Sequence, residues 1–303
     1  MGASQTLESQ EHYGPLGRSA WLDVDWRTHQ RWVTVGSDAV NVIDLGEGPP
    51  LVFVHGLSGS WQNWLEQLPE FAARHRVIAL DLPGFGHSPM PAQPISISGY
   101  ARLLDGLLDK LDVAGAAVVG NSMGGFISAE LAIAFPERVE RLVLVSAAGL
   151  STYANPGAAR ALPTLRQLER IVMACTAWTA SRADVVARRP RLRDLTLNVV
   201  ALHPGRLPSA LAAEQIRGGG KPGFLGALEA ILNYDFRHRL PEIACPTLIV
   251  WGERDRLITV RDADLFAELI PNSRKVLFEE TGHVAMLERP AKFNALLESF
   301  LGE

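Results

Sequence analysis

Eight short runs of aliphatic and β-branched residues recur along this 303-residue chain, and segments of helix length lie between most of them. The runs are RWVTV (31–35), AVNVIDL (39–45), LVFVH (51–55), RVIAL (76–80), AAVVG (116–120), RLVLV (141–145), TLIVW (247–251) and KVLF (275–278). The intervening segments 61–73, 98–111, 123–135, 260–269 and 290–301 have helix length and pattern. Strands apolar on both faces and alternating with helices must be covered on both sides, which predicts an α/β fold with a mostly parallel sheet flanked by helices. Hydrophobic residues make up 47% of the chain, enough for a large core.

The rhythm breaks once. Residues 150–240 hold no convincing strand, only helix-like stretches punctuated by Pro and Gly, and about 90 residues exceeds an ordinary loop. The predicted organisation is an N-terminal extension outside the core (1–20), a first part of the core (21–149), a helical lid (150–240) and a second part of the core (241–303). Residues 150–243 carry 13 Lys and Arg against 7 Asp and Glu, a balance of +6 in a chain whose net charge is −4. Arg188, Arg189, Arg191 and Arg193 are the densest cluster. Attraction for an anionic substrate or lipid surface is one reading, and solvated helix faces are the preferred one.

The net charge gives no electrostatic reason to bind nucleic acid. Cys175 and Cys245 have neither zinc spacing nor a histidine cluster beside them, so no metal is expected and reduced thiols are. The N-terminus has no basic start or apolar h-region, and no run is apolar for the roughly 18 residues a membrane span needs. A cytoplasmic location is the resulting expectation.

Within VVGNSMGGF (118–126) a strand-like run enters G-x-S-x-G and a helix-like segment leaves it. A turn this tight strains the serine's backbone and leaves no room for side chains two residues away on either side, which Gly120 and Gly124 answer. A serine hydroxyl needs a base to take its proton and an acid to orient that base. His283, in EETGHVAML, follows the last strand-like run, and Asp255, in WGERD, follows the one before. Both would emerge at the same end of a parallel sheet as Ser122, and His283 is the only histidine after Asp255. Glu253 is the lesser alternative acid. An oxyanion would require preset N–H donors. The loop in VHGLSGS (54–60) places the Leu57 amide as a partner for that of Met123. His55, Asp81 and His87 are read as braces for these loops. GGGKPG (218–223) imitates a phosphate loop, but Pro222 stands where Ser or Thr would hold magnesium, so it is read as a turn of the lid.

With these motifs assembled, the chain from about Trp32 onward resembles the α/β-hydrolase superfamily. The resemblance rests on HG (55–56), DLPGFGHS (81–88), GNSMGG (120–125), GERD (252–255) and TGH (281–283), in the expected order. It implies an eight-stranded, mostly parallel sheet with a helical lid after strand six, and catalysis without metal or organic cofactor. A serine at 122 disfavours the branches with an aspartate nucleophile. GNSMGG also resembles the elbow of meta-cleavage-product C–C hydrolases, and WQNW (61–64) agrees. Against that, HGLSGS lacks a Gly-Pro frequent in them, and Val284 stands where they often carry Trp. The preferred expectation is a serine carboxylesterase with catalytic Ser122, Asp255 and His283 and an apolar small-molecule ester as substrate. Met173, Trp178, Phe224 and Tyr234 are candidates to line its pocket. The alternatives are a C–C bond hydrolase, an acyltransferase or perhydrolase, and a non-catalytic ligand-binding relative.

Overall fold

The computed structural model describes residues 12–153 and 174–303. All eight runs join one sheet: β1 (Gln30–Val35), β2 (Asp38–Leu45), β3 (Pro50–Val54), β4 (Arg76–Leu80), β5 (Ala116–Asn121), β6 (Val139–Val145), β7 (Thr247–Gly252) and β8 (Ser273–Phe278). Their order is β1-β2-β4-β3-β5-β6-β7-β8. β2 is antiparallel to β1 and β4, and every later neighbour pair is parallel. Every residue of β5 and β7 is buried, whereas the edge strands β1 and β8 are partly exposed.

Side chains leave a strand alternately to its two faces, and β3 shows both cores at once. Val52 and Val54 pack with Leu104, Phe126 and Phe266 of the helices Ile97–Lys110, Met123–Ala134 and Arg261–Leu269. Leu51 and Phe53 belong to the opposite core, with Leu68, Phe293 and Leu297 from the helices Leu68–Phe71 and Pro290–Leu301. Helix Ile97–Lys110 buries Ile97, Tyr100, Leu104, Leu107 and Leu108 at helical spacing, and the Ser96 hydroxyl accepts from the Gly99 N–H to start it. The segment expected as one helix over 61–73 is instead a 3-10 turn (Trp61–Trp64) and a separate short helix. Pro69 lacks the N–H that a continuous helix would need there and sits in the first turn of the second piece.

Between β6 and β7 the described residues form the helices Ala183–Ala187, Pro190–Leu197, Ser209–Arg217 and Phe224–Asn233, with no strand among them. They are tied to the core loops: the Gly223 N–H donates to the Gly84 carbonyl at 3.0 Å, and the Gln215 amide to the Gln62 carbonyl at 3.2 Å. Arg193 is a correction to the expected arginine cluster, because its buried guanidinium donates to the carbonyls of Ala187, Pro204 and Gly205. It satisfies carbonyls at a helix end and a turn within the insertion and offers no charge to the surface. The extension also differs from expectation. Tyr13 is buried in the second core and the Gly14 N–H donates to the Glu288 carbonyl at 2.7 Å, so packed structure begins before residue 20. An aromatic side chain with a hydrogen-bonding tip makes so short a polar segment stick.

Candidate active site

Parallel strands deliver their following loops to one edge of the sheet, and β3, β5, β7 and β8 all do so here. At the end of β5 the chain turns directly into the helix Met123–Ala134, and Ser122 takes φ 55° and ψ −118°, a left-handed φ that costs a non-glycine residue energy. The conformation is held because the Ser122 N–H donates to the Val145 carbonyl (2.9 Å) and its own carbonyl accepts from Ala148 (3.0 Å). A Cβ on Gly120 would lie 2.3 Å from the Gly124 carbonyl oxygen, and one on Gly124 would lie 2.2 Å from that of Val54. Neither position accepts a side chain without unmaking the turn.

The Asp255 and His283 side chains meet in a buried pair. His283 Nδ1 lies 2.8 Å from Asp255 Oδ2, and their side chains are 3% and 0% exposed. The other carboxylate oxygen, Oδ1, accepts from the Leu257 (2.8 Å) and Ile258 (3.0 Å) N–H groups, which fixes the plane of the carboxylate. With Nδ1 donating to Asp255, His283 Nε2 carries the free lone pair and has no hydrogen-bond partner among the described residues. Glu253 is exposed. The two loops approach closely because a Cβ on Gly252 would stand 2.0 Å from the Gly282 carbonyl oxygen.

Ser122, His283 and Leu57 line one cavity of about 630 Å³. Met123 is the first residue of its helix, where N–H groups have no intrahelical acceptor and the helix dipole is positive. Beneath Leu57 the loop is stapled: the Gly56 carbonyl accepts from the Gly59 N–H at 3.0 Å and from His55 Nδ1 at 2.7 Å. His55 Nε2 accepts from the Leu82 N–H at 3.0 Å, so the ring is neutral with its proton on Nδ1. Burial lowers the His55 pKa and outweighs the opposing pull of Asp81. Asp81 accepts from the N–H groups of Trp61 and His87 and from the Asn41 amide. Burial pushes its carboxyl up, but the hydrogen bonds from His87, the neighbouring His55 and the Trp61 N–H hold the net shift downward.

Two positioning side chains escaped the sequence reading. Asn121 donates its side-chain amide to the carbonyls of Val145 (3.1 Å) and His283 (3.3 Å), joining the serine turn to the backbone of the histidine. Glu288, fully buried, accepts from the N–H groups of Gly282 (3.0 Å), Val284 (3.3 Å) and Leu202 (2.8 Å) and from the Tyr13 hydroxyl (2.8 Å). It binds the two residues flanking His283 to the insertion and to the N-terminal segment. Burial raises its pKa despite those donors.

Of the three pocket candidates among the described residues, only Phe224 lines the cavity. Trp178 is 59% exposed beneath the Arg182 guanidinium, 4.3 Å from its ring, and its neighbours Thr176 and Thr179 face the cavity instead. Tyr234 packs on Phe126, and its hydroxyl accepts from Arg239, which also pairs with Glu130. Met173 lies outside the described residues. The walls come mainly from residues not singled out: Leu207, Ile216, Leu228 and Ile231 of the insertion, and Ile258 and Val284 of the core, with Asn63 and Gln215 supplying amides. Among the described residues no cluster of three or more His, Cys, Asp or Glu could hold a metal ion.

Comparison with known proteins agrees with this fold. The profile of the family described as alpha/beta hydrolase fold matches residues 49–290. The 2-hydroxymuconate semialdehyde hydrolase of Pseudomonas sp. (strain CF600) is 30% identical over 278 residues, spanning 87% of this chain and 90% of its own. The enol-lactonase of Burkholderia xenovorans LB400 superposes with a TM-score of 0.70 at 26% identity, over 90% of this chain and 100% of its own. A structure described as an N-acyl homoserine lactone degrading enzyme gives 0.69 at 29% identity, over 89% of this chain and 100% of its own.

Proposed function

The chain belongs to the α/β-hydrolase family, and from that premise we propose that it is a serine hydrolase that cleaves carboxylic esters through an acyl-enzyme on Ser122. The observation that carries this reading is the buried Asp255–His283 pair, whose unpartnered Nε2 belongs to a residue lining the same cavity as Ser122. In the proposed reaction His283 takes the Ser122 proton as the oxygen attacks the ester carbonyl, and Asp255 stabilises the imidazolium. The amides of Leu57 and Met123 receive the oxyanion. The imidazolium then protonates the leaving alcohol, and a water activated by His283 frees the acid from the serine.

Apolar residues dominate the cavity walls, which favours a neutral ester with a hydrophobic acyl or alcohol part. The insertion supplies most of those walls and would act as a lid. Similarity to an enol-lactonase also supports an ester, since a lactone is a cyclic one. C–C bond hydrolysis is the second reading, favoured by the semialdehyde hydrolase that matches over 90% of its length. A panel of p-nitrophenyl esters graded by chain length, assayed beside a ring-cleavage dienoate, separates the two. The ester reading expects turnover of the esters and loss of about four to six orders of magnitude in Ser122→Ala. Turnover of the dienoate alone, or full activity in Ser122→Ala, refutes it.

A further inference from the structure

The residues that both line the cavity and face solvent mark its mouth: Thr176, Thr196, Val199 and Leu257. Large apolar side chains stand in the open around it. Val199 is 53% exposed, Leu257 50% and Leu195 75%. Leu195 and Val199 are four residues apart on one helical stripe, since the backbone continues helical beyond Leu197 through the Val200 and Ala201 N–H bonds to the Leu197 carbonyl. Arg256 donates to the Asn198 carbonyl at 3.1 Å, which fastens the Leu257 turn against the same helix end. Exposed Trp178 stands between Thr176 and Thr179, which reach the cavity.

Cations share the helix of Leu195 and the residues just before it. Arg191 precedes Leu195 by one helical turn, and Arg188, Arg189 and Arg191 are all exposed with no ion pair among the described residues. Asp184 pairs with Arg217, and Asp194 is turned to the Gly205 N–H with no ion pair among the described residues. The segment 150–243 carries +6 while the rest of the chain carries −10. A solvated helix face explains the arginines but not the leucine and valine exposed beside them. Exposed apolar groups on one helical stripe with an exposed cation match the chemistry of an anionic bilayer surface, which takes hydrophobic side chains into its acyl boundary and cations at its headgroups.

We propose that the rim of the cavity, formed by Leu195, Val199 and Leu257 with Arg188, Arg189 and Arg191, is a docking face for an anionic phospholipid surface. Docking there would bring the mouth against the lipid, from which apolar molecules enter without crossing water. Among the described residues no helix is long and apolar enough to cross a membrane.

The test is sedimentation of the whole chain with phosphatidylcholine vesicles made with and without phosphatidylglycerol. It is run on the Ser122→Ala variant as well, so that the outcome is independent of the chemistry proposed for the serine. The expected result is binding that requires phosphatidylglycerol, weakens with added salt, and is equal in the two proteins. Leu195→Asp and the pair Arg188→Glu with Arg191→Glu should each weaken it by at least about tenfold, with thermal stability and turnover of a soluble short ester unchanged. No binding to the anionic vesicles, or equal binding by these variants, overturns the proposal. Self-association that Leu195→Asp abolishes, without vesicle binding, assigns the face to a second copy of the chain and likewise overturns it.

Discussion

Replacing Glu288 tests whether the histidine loop is held in place from behind. Its two carboxylate oxygens accept from three backbone N–H groups and the Tyr13 hydroxyl, all in a fully buried site. Glu288→Ala would leave these donors without partners. At about 1–3 kcal/mol for each buried unsatisfied group, reduced by local relaxation, the loss of stability should be about 3–5 kcal/mol. Glu288→Gln keeps the volume but offers one acceptor oxygen where two are used. Its NH2 must face either the Gly282 and Val284 amides or the Leu202 amide and Tyr13, so about half the loss, roughly 2 kcal/mol, is expected. Urea denaturation of both variants measures this. Because the bonded N–H groups flank His283, ester kcat should fall in Glu288→Gln while KM changes little. The pH arm has a definite sign. Burial raises the folded-state pKa of Glu288 above its unfolded value, so its contribution is fully present below the unfolded pKa and declines as pH rises through the folded one. The Glu288→Gln deficit should therefore be larger near about pH 4 than near about pH 8. A Glu288→Gln protein within about 0.5 kcal/mol of the original, with unchanged kcat, would show that these bonds position nothing.

Three further outcomes follow from the site. Asp255→Asn should lower ester kcat by about 10⁴-fold through loss of the Nδ1 acceptor, whereas Glu253→Gln, altering an exposed side chain, should leave it unchanged; the reverse ranking would move the acid. His55 is neutral because burial depresses its pKa, so the stability it contributes is present above about pH 6.5 and is lost as pH falls through its folded pKa. The melting temperature of Ser122→Ala, followed from about pH 8 down to about pH 5, should fall on the acid side more than that of the same protein with His55→Gln; parallel curves would acquit His55. Asn121→Ala should reduce kcat about tenfold or more by freeing the His283 carbonyl from the serine turn, and unaltered kinetics would reduce that contact to packing.

Strand positions were readable because burial on both faces leaves one kind of residue: β5 and β7 are apolar almost throughout and lie within one or two residues of the runs that announced them. Ser122, Asp255 and His283 were readable for a related reason. Each follows a strand, and parallel strands bring such loops together whatever the helices between them do. Glu288 and Tyr13 had no comparable signal, since their meeting depends on a separation of 275 residues and each looks locally like an ordinary surface residue. The cavity walls failed differently. An aromatic residue in a helix-rich insertion announces burial but not the face, and Trp178 turned outward while its threonine neighbours turned in. Arg193 likewise looks no different from Arg191 in the sequence, because a step of two residues, about half a helical turn, decides which of them meets carbonyls and which meets water.

The backbone around His283 also constrains how the insertion can move. His283 donates its N–H to the Val200 carbonyl at 2.9 Å, and Glu288 reaches across from the same loop to the Leu202 N–H at 2.8 Å. The stretch from Val200 to Leu202 is therefore bonded to the loop of the proposed base on either side of its one intervening residue. Carrying it away from the sheet would break a backbone bond and uncover a buried carboxylate, a cost of several kcal/mol. The helices Ser209–Arg217 and Phe224–Asn233, on the other side of this anchor, meet the core through the Gln215 and Gly223 hydrogen bonds and through Leu211, Ala227 and Ile231, which are buried in the two cores. Moving them would uncover Leu211 and Ile231, at about 1.5–3 kcal/mol for each large side chain.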